Sequence, residues 1–173
     1  MRLYVFADPE LACLPHGSLE RRLIFCHMRS TASPIRNNQM VNYIFELKDK
    51  VRDYECDLQG IVNNANYQHY LEHARHEFLL ANNVSFAKLH DQGTDAVVAR
   101  LTMQFKVPLK SGDEYVTKIR VKKDGIKYVF LQDIYRLPDM KLCVRSEVDS
   151  VCLVNGRLSD CKELDDTFAP FFE

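Results

Sequence analysis

The stretch VRDYECDLQGIVNNANY, residues 51–67, joins two different periodic patterns. Apolar and charged side chains alternate in the run before it, which indicates an extended strand that stops near Tyr54. After it, apolar side chains recur at every third or fourth position, which predicts a helix over about residues 66–82. Asp57 and Gly60 favour a loop between the two. The chain therefore begins its main body as strand, loop and long helix.

Four further runs after the helix alternate apolar and polar side chains, which is typical of strands. In the first of them, alternation places Val97, Ala99 and Leu101 on one face. One long amphipathic helix and five strands predict an α+β fold with a largely antiparallel five-stranded sheet. The four runs cover residues 97–105, 115–121, 126–136 and 142–155.

Composition indicates a globular protein and excludes several classes of function. The 173 residues are 46% hydrophobic and carry a formal net charge of −1, so no overall basic field argues for nucleic acid. No apolar run is long enough for a spanning helix, and we expect no membrane insertion. The six glycines are too far apart for a glycine-rich nucleotide loop or a serine elbow.

Cysteine usage predicts the compartment. The six cysteines form no C-x-x-C pair, and no secretory signal is visible in the sequence. We therefore expect free thiols and a cytoplasmic location.

The first 39 residues differ in composition from the remainder. They contain five Arg, no Lys and three acidic residues. We expect residues 1–39 to be a flexible extension or an over-long gene start, with Met40 as the functional start. Residues 40–173 then form the folded domain, which is large enough to bury a core without disulfides.

Asp57 is the candidate for chemistry, because it lies in a loop directly before a helix. The first N–H groups of a helix have no partner within the helix, and that end carries partial positive charge. A carboxylate there could attack a carbonyl or activate water while the N–H groups stabilise the oxyanion. The alternative is an aspartate that only stabilises a turn or caps the helix.

Three motifs in this region resemble one thioesterase family. They are D-x-x-G-x-V-N-N-A-x-Y from Asp57 to Tyr67, Y-L-E-x-A-R from Tyr70 to Arg75, and P-x-x-x-G-D from Pro108 to Asp113. Together they resemble the 4-hydroxybenzoyl-CoA thioesterase and acyl-CoA thioesterase branch of the hot-dog superfamily. The V-N-N element is also similar to acyl-ACP thioesterases. The resemblance implies a hot-dog fold, in which the sheet wraps around a central helix and two subunits share the active sites.

The resemblance also implies residue roles. Asp57 matches the catalytic aspartate, acting as nucleophile or general base, and Asn64 matches the residue whose backbone N–H polarises the thioester carbonyl. Gly60 and Tyr67 occupy motif positions that we assign to substrate binding. Asp53, Gln59 and Ile61 stand where relatives have other residues that include auxiliary bases, so no second base is assigned.

Two lysines are the candidate contacts for a coenzyme A moiety. Lys106 and Lys110 flank Pro108, near the place where family members hold the nucleotide. The phosphates of CoA require several cations. The alternative is that both are solvated strand-end residues.

A metal site on the helix is an alternative interpretation of its histidines. His69, Glu72 and His73 spell H-x-x-E-H, a string found in some zinc proteases. These residues lie opposite the apolar stripe, and no second long helix offers a third ligand. We expect no metal and no cofactor, and we expect Glu72 and Arg75 to form ion pairs on the helix surface or at a subunit interface.

The sequence predicts a hydrolase that converts acyl-CoA to free acid and CoA. An acyl-ACP thioesterase and a non-catalytic acyl-binding module stay open as alternatives. We expect a homodimer or homotetramer, because an open sheet leaves edge strands to cover. The strand face with Val98, Thr102 and Tyr128 is the predicted subunit contact.

Overall fold

The computed structural model describes residues 42–172, so the expectation for residues 1–39 lies outside the described residues. None of the helices in the described part is long and apolar enough to cross a membrane. The strands are β1 (Phe45–Lys50), β2 (Thr94–Phe105), β3 (Glu114–Asp124), β4 (Lys127–Leu137), β5 (Lys141–Val154) and β6 (Arg157–Ser159). The helices are α1 (Asn64–Ala81), α2 (Phe86–Asp91) and α3 (Lys162–Phe168).

The strands form one antiparallel sheet in the order β1-β3-β4-β5-β2, with the short β6 paired to β5. The predicted α+β class and the five main strands are confirmed. Strand β6 is an addition, and so are α2 and α3. These three elements are three to seven residues long, which is too short for a periodic pattern to reveal them.

Asparagines flank helix α1 at both ends. The side chain of Asn63 accepts a hydrogen bond from the Ala65 N–H at 3.0 Å, which caps the first turn. At the other end Asn83 adopts a positive φ of 61°, and the Val84 N–H donates to the Leu79 carbonyl. The helix begins two residues earlier than predicted, because its first residues are polar or small and do not extend the apolar stripe.

The apolar stripe of α1 packs against the inner face of the sheet. Around its first half, Tyr67, Tyr70 and Leu71 contact residues of β3, β4 and β5. Around its second half, Ala74 and Phe78 contact the same strands and the C-terminal segment. Burying a large apolar side chain stabilises the fold by about 1.5–3 kcal/mol, so each large side chain of this seam adds to its stability.

A β-bulge changes the face assignment on β2. The pairing between β2 and β5 shifts register between Val98 and Arg100, which leaves Ala99 without a partner on β5. Val98 therefore joins Leu101 on the face toward α1, and Val97 lies on the opposite face. The prediction that Val97, Ala99 and Leu101 share a face is wrong, because strict alternation holds only without a bulge.

Two residues of the predicted subunit contact also lie elsewhere. Tyr128 is only 1% exposed and packs edge-on against Phe168, with 5.5 Å between the ring centres. Val98 lines a cavity on the inner face of the sheet. Of the predicted set, only Thr102 is an exposed residue on the outer face. The sequence could not show that α3 folds back over Tyr128.

Helix α3 covers the end of the sheet next to the second half of α1. Phe168 stacks on Phe78 with 5.6 Å between ring centres. The Tyr128 hydroxyl lies 2.7 Å from Asp165 Oδ1, and the ammonium group of Lys123 contacts the same carboxylate. Burial raises the pKa of Asp165, but the hydrogen bonds from Lys123 and Tyr128 outweigh it and leave the pKa below its ordinary value.

Candidate active site

Asp57 lies in a short hairpin that precedes α1. Its N–H donates to the Ile61 carbonyl at 2.9 Å, and the Gly60 N–H donates to the Asp57 carbonyl at 3.0 Å. A bridge between Cys56 and Val62 continues the hairpin toward the helix. Gly60 has a φ of +73°, a conformation that side chains with a Cβ adopt at a cost, so the turn favours glycine here. The backbone of Asp57 is therefore held by the hairpin.

The Asp57 carboxylate has one oxygen engaged and one available. Its Oδ1 accepts a hydrogen bond from the Gln59 N–H at 2.8 Å, an Asx turn. Within residues 42–172, Oδ2 accepts no hydrogen bond and the carboxylate forms no salt bridge. The residue is half-buried. This geometry orients the carboxylate without neutralising its charge.

Two hydrogen bonds to one carbonyl attach the hairpin to the start of α1. The Glu55 carbonyl accepts from the Asn63 N–H at 3.0 Å and from Asn66 Nδ2 at 2.7 Å. Asn63 caps the helix and Asn66 lies in its first turn. The asparagines of the V-N-N-A-N segment thus fix where the hairpin of Asp57 lies relative to the helix end.

The side chain of Glu55 provides a buried anchor for the same loop. Its Oε2 accepts hydrogen bonds from the Tyr70 hydroxyl and from the Arg52 N–H, both at 2.7 Å. Burial and the adjacent Glu55 raise the pKa of Tyr70, so its hydroxyl remains a donor. We did not predict this residue from the sequence. A carboxylate two positions before Asp57 was visible there, but its partner Tyr70 lies 15 positions away.

The N-terminus of α1 offers one free donor in this region. The Ala65 N–H is used by the Asn63 side chain, and the Asn66 N–H donates to the Asn63 carbonyl at 2.9 Å. The Asn64 N–H, at the first helical position, has no hydrogen-bond partner among the described residues. An unpaired N–H at a helix N-terminus suits an oxygen that gains negative charge.

Tyr67 connects the site to the segment that carries Lys110. The Leu109 N–H donates to the Tyr67 hydroxyl at 3.0 Å, and the Val62 N–H donates to the Leu109 carbonyl at 2.8 Å. Tyr67 is buried, which raises the pKa of its hydroxyl to about 12. In this structure the Tyr67 hydroxyl accepts a hydrogen bond from the Leu109 backbone, and the role of Tyr67 in substrate binding stays a prediction.

The other predicted binding residues lie at the surface. Lys106 and Lys110 are exposed, and their ammonium groups form no ion pair within residues 42–172. Lys110 follows Leu109 directly, so its backbone lies beside the hairpin that carries Asp57. Gly60 is exposed, with open space where a Cβ would stand. A ligand could approach the hairpin here.

The histidines of the H-x-x-E-H string lie on the exposed side of α1. His69 and His73 are exposed, and Glu72 is 3.9 Å from the His76 ring. Among the described residues, no three His, Cys, Asp or Glu side chains are placed to hold a metal ion. Within residues 42–172 Arg75 forms no ion pair, and its guanidinium donates to Gln132 instead, so an ion pair of Arg75 across a subunit interface stays a prediction.

Comparison with known proteins assigns the family. A family model described as the thioesterase-like superfamily matches residues 51–171. The chain belongs to this superfamily. The thioesterase-like match covers the hairpin, α1, strands β2 to β6 and α3, which confirms the resemblance derived from the motifs.

A curated relative supports the thioesterase-like assignment, and two solved structures support the fold. The chain is 33% identical over 122 residues to "Acyl-acyl carrier protein thioesterase ATL3, chloroplastic" of Arabidopsis thaliana, covering 70% of this chain and 64% of the relative. A 1,4-dihydroxy-2-naphthoyl-CoA thioesterase from Synechocystis superposes with a TM-score of 0.67 at 15% identity, covering 71% of this chain and 93% of that one. A Staphylococcus aureus protein solved in complex with CoA gives a TM-score of 0.70 at 15% identity, covering 78% and 87%. Both structures share the predicted hot-dog fold.

Proposed function

We propose that this protein hydrolyses acyl thioesters, with Asp57 as nucleophile or general base. The observation that carries the proposal is the Asp57 carboxylate, which has one oxygen held by the Gln59 N–H and the other available. It lies on a hairpin anchored to the start of α1. The curated relative is a thioesterase by name and spans more than this chain, so family membership supports thioester hydrolysis without specifying the substrate.

The reaction follows one of two routes. As a nucleophile, Asp57 attacks the thioester carbonyl carbon, the C–S bond breaks, and water hydrolyses the resulting anhydride. As a general base, Asp57 removes a proton from water, which attacks the same carbon directly. In both routes the thiolate leaves and takes up a proton, and the Asn64 N–H stabilises the developing oxyanion.

Acyl-CoA is the substrate class that the sequence favours. Lys106 and Lys110 are exposed and unpaired within the described residues, so both can meet phosphate groups. An acyl group on acyl carrier protein is the second candidate, and the name of the Arabidopsis relative favours it. In that case the same lysines would meet an acidic carrier surface. A cytoplasmic location likewise stays a prediction.

We also propose that the active unit is a homodimer or homotetramer. Strand β2 is at the edge of the sheet and pairs only with β5 among the described strands. Its Val97 and Phe105 are exposed, with 38% of Val97 and 44% of Phe105 accessible. A second copy pairing along β2 would cover these side chains and the unpaired backbone groups.

A thiol-release assay with acyl-CoA and acyl-ACP substrates of different chain length tests the proposal. Asp57→Asn should lower turnover by about 10²–10⁴, the range typical of a lost proton-transfer group. The amide retains an oxygen for the Gln59 N–H, so folding should not change. Asp53→Asn is the matched control, because Asp53 is exposed in the same loop. Equal turnover of the two variants would contradict a catalytic Asp57, and the absence of turnover in the unaltered protein would favour a non-catalytic module.

A further inference from the structure

A cavity of about 80 Å³ lies between the second half of α1, the sheet and α3. No residue of the hairpin that carries Asp57 lines it. Its walls are mostly apolar, with contributions from Leu79, Val98, Phe130 and Phe168. The volume is several times the ~15 Å³ that one water molecule needs. The cavity can therefore take a small organic molecule.

One wall of this cavity carries a cation without a carboxylate partner. Arg75 Nη1 donates to Gln132 Oε1 at 2.8 Å, and Gln132 Nε2 donates to the Leu71 carbonyl at 2.9 Å. Gln132 is fully buried, so this neutral amide fixes the position of the guanidinium. Within residues 42–172, Arg75 forms no salt bridge. Burial lowers the pKa of Arg75, and the charge of the nearby Glu72 carboxylate opposes this shift without cancelling it.

Arg75 is the guanidinium donor that lines this cavity, and the side chain of Ser150 lines it as well. The Tyr128 hydroxyl is already engaged by Asp165 at 2.7 Å. Glu72 and His76 also line the cavity, but each side chain is about half exposed, with 54% of Glu72 and 48% of His76 accessible. Their carboxylate and ring are 3.9 Å apart and interact with each other. Glu72 is therefore a solvated charge near the opening.

We propose that this cavity binds a short-chain carboxylic acid, with the carboxylate on Arg75 and the hydrocarbon against Phe130 and Phe168. A guanidinium presents parallel N–H donors that match a carboxylate, and the match is strongest away from water. The apolar walls favour an alkyl chain over a bare inorganic anion. The site is separate from Asp57 and does not depend on its chemistry.

Hexanoate is the probe, and calorimetry on the full chain is the measurement. We expect saturable binding with one site per chain, and binding of hexanol weaker by about tenfold or more, because the alcohol offers no charge to Arg75. Arg75→Met should weaken hexanoate binding by about tenfold or more. The control Arg100→Met, an exposed arginine on the outer face of β2, should leave it unchanged.

Two more variants keep the test decisive if Arg75→Met fails to fold. Val98→Phe places a larger side chain at the cavity from an exposed strand position and should weaken hexanoate binding. Glu72→Gln removes the competing negative charge and should strengthen it. Asp57→Asn should bind hexanoate as the unaltered protein does. Binding of hexanol as tight as hexanoate, insensitivity to Val98→Phe, or loss of binding in Asp57→Asn would each overturn the proposal.

Discussion

Replacing Tyr70 by Phe tests the buried anchor of the candidate site. The Tyr70 hydroxyl donates to Glu55 Oε2 at 2.7 Å, and both residues are buried. A hydrogen bond to a charged group contributes about 1.5–3 kcal/mol to stability. Glu55 keeps the Arg52 N–H on the same oxygen and the Arg52 guanidinium near the other. We therefore expect Tyr70→Phe to lower the free energy of unfolding by the smaller value, about 1.5 kcal/mol.

Urea unfolding measures this change. With a slope of about 1–3 kcal/mol per molar urea, the midpoint should fall by about 0.5–1.5 M at an unchanged slope. Tyr54→Phe is the control, because Tyr54 is 77% exposed in the same loop. If Tyr70→Phe unfolds at the same urea concentration as Tyr54→Phe, the proposed anchor does not hold the loop.

Three further outcomes follow from the packing and the charges. Phe168→Ala should lower the free energy of unfolding by about 3–5 kcal/mol in urea, whereas Met140→Ala, exposed in a turn, should change it little. The lowered pKa of Asp165 means that its stabilisation is present above pH ~4 and is lost as pH falls below that. Asp165→Asn should therefore be less stable than the unaltered protein at neutral pH and should lose less stability on acidification, as thermal unfolding at several pH values can show. Metal analysis should find no stoichiometric zinc, and one zinc per chain that is lost in His73→Ala would contradict this.

The long elements of the fold could be predicted from periodicity because each has one buried and one exposed face. The apolar stripe of α1 depends only on residues three or four positions apart, and the alternation along β3 depends only on residues two positions apart. The bulge at Ala99 could not be predicted, because it is set by the pairing partner on β5. The contact of α3 with Tyr128 joins residues 37 positions apart.

In the candidate site, too, local interactions could be predicted from the sequence and contacts between distant residues could not. The N-cap role of Asn63 can be predicted from the sequence, because capping is a local interaction. The anchors of the loop cannot, since Glu55 depends on Tyr70 and the backbone of Leu109 depends on Tyr67, 42 positions away. Arg75 is a further case, because the fold brings the amide of Gln132, 57 positions away in the sequence, to its guanidinium.

A turn-stabilising role and a catalytic role for Asp57 are compatible. A turn-forming aspartate uses one carboxylate oxygen to accept a backbone N–H, as Oδ1 does from Gln59. That bond removes rotational freedom from the side chain and leaves Oδ2 with its charge and lone pairs. A catalytic carboxylate needs the same restriction, because a group held in position loses little entropy on the way to the transition state. The Asx turn is therefore the device that could orient the reacting oxygen, and Asp57→Asn separates the two roles, because it keeps the turn and removes the base.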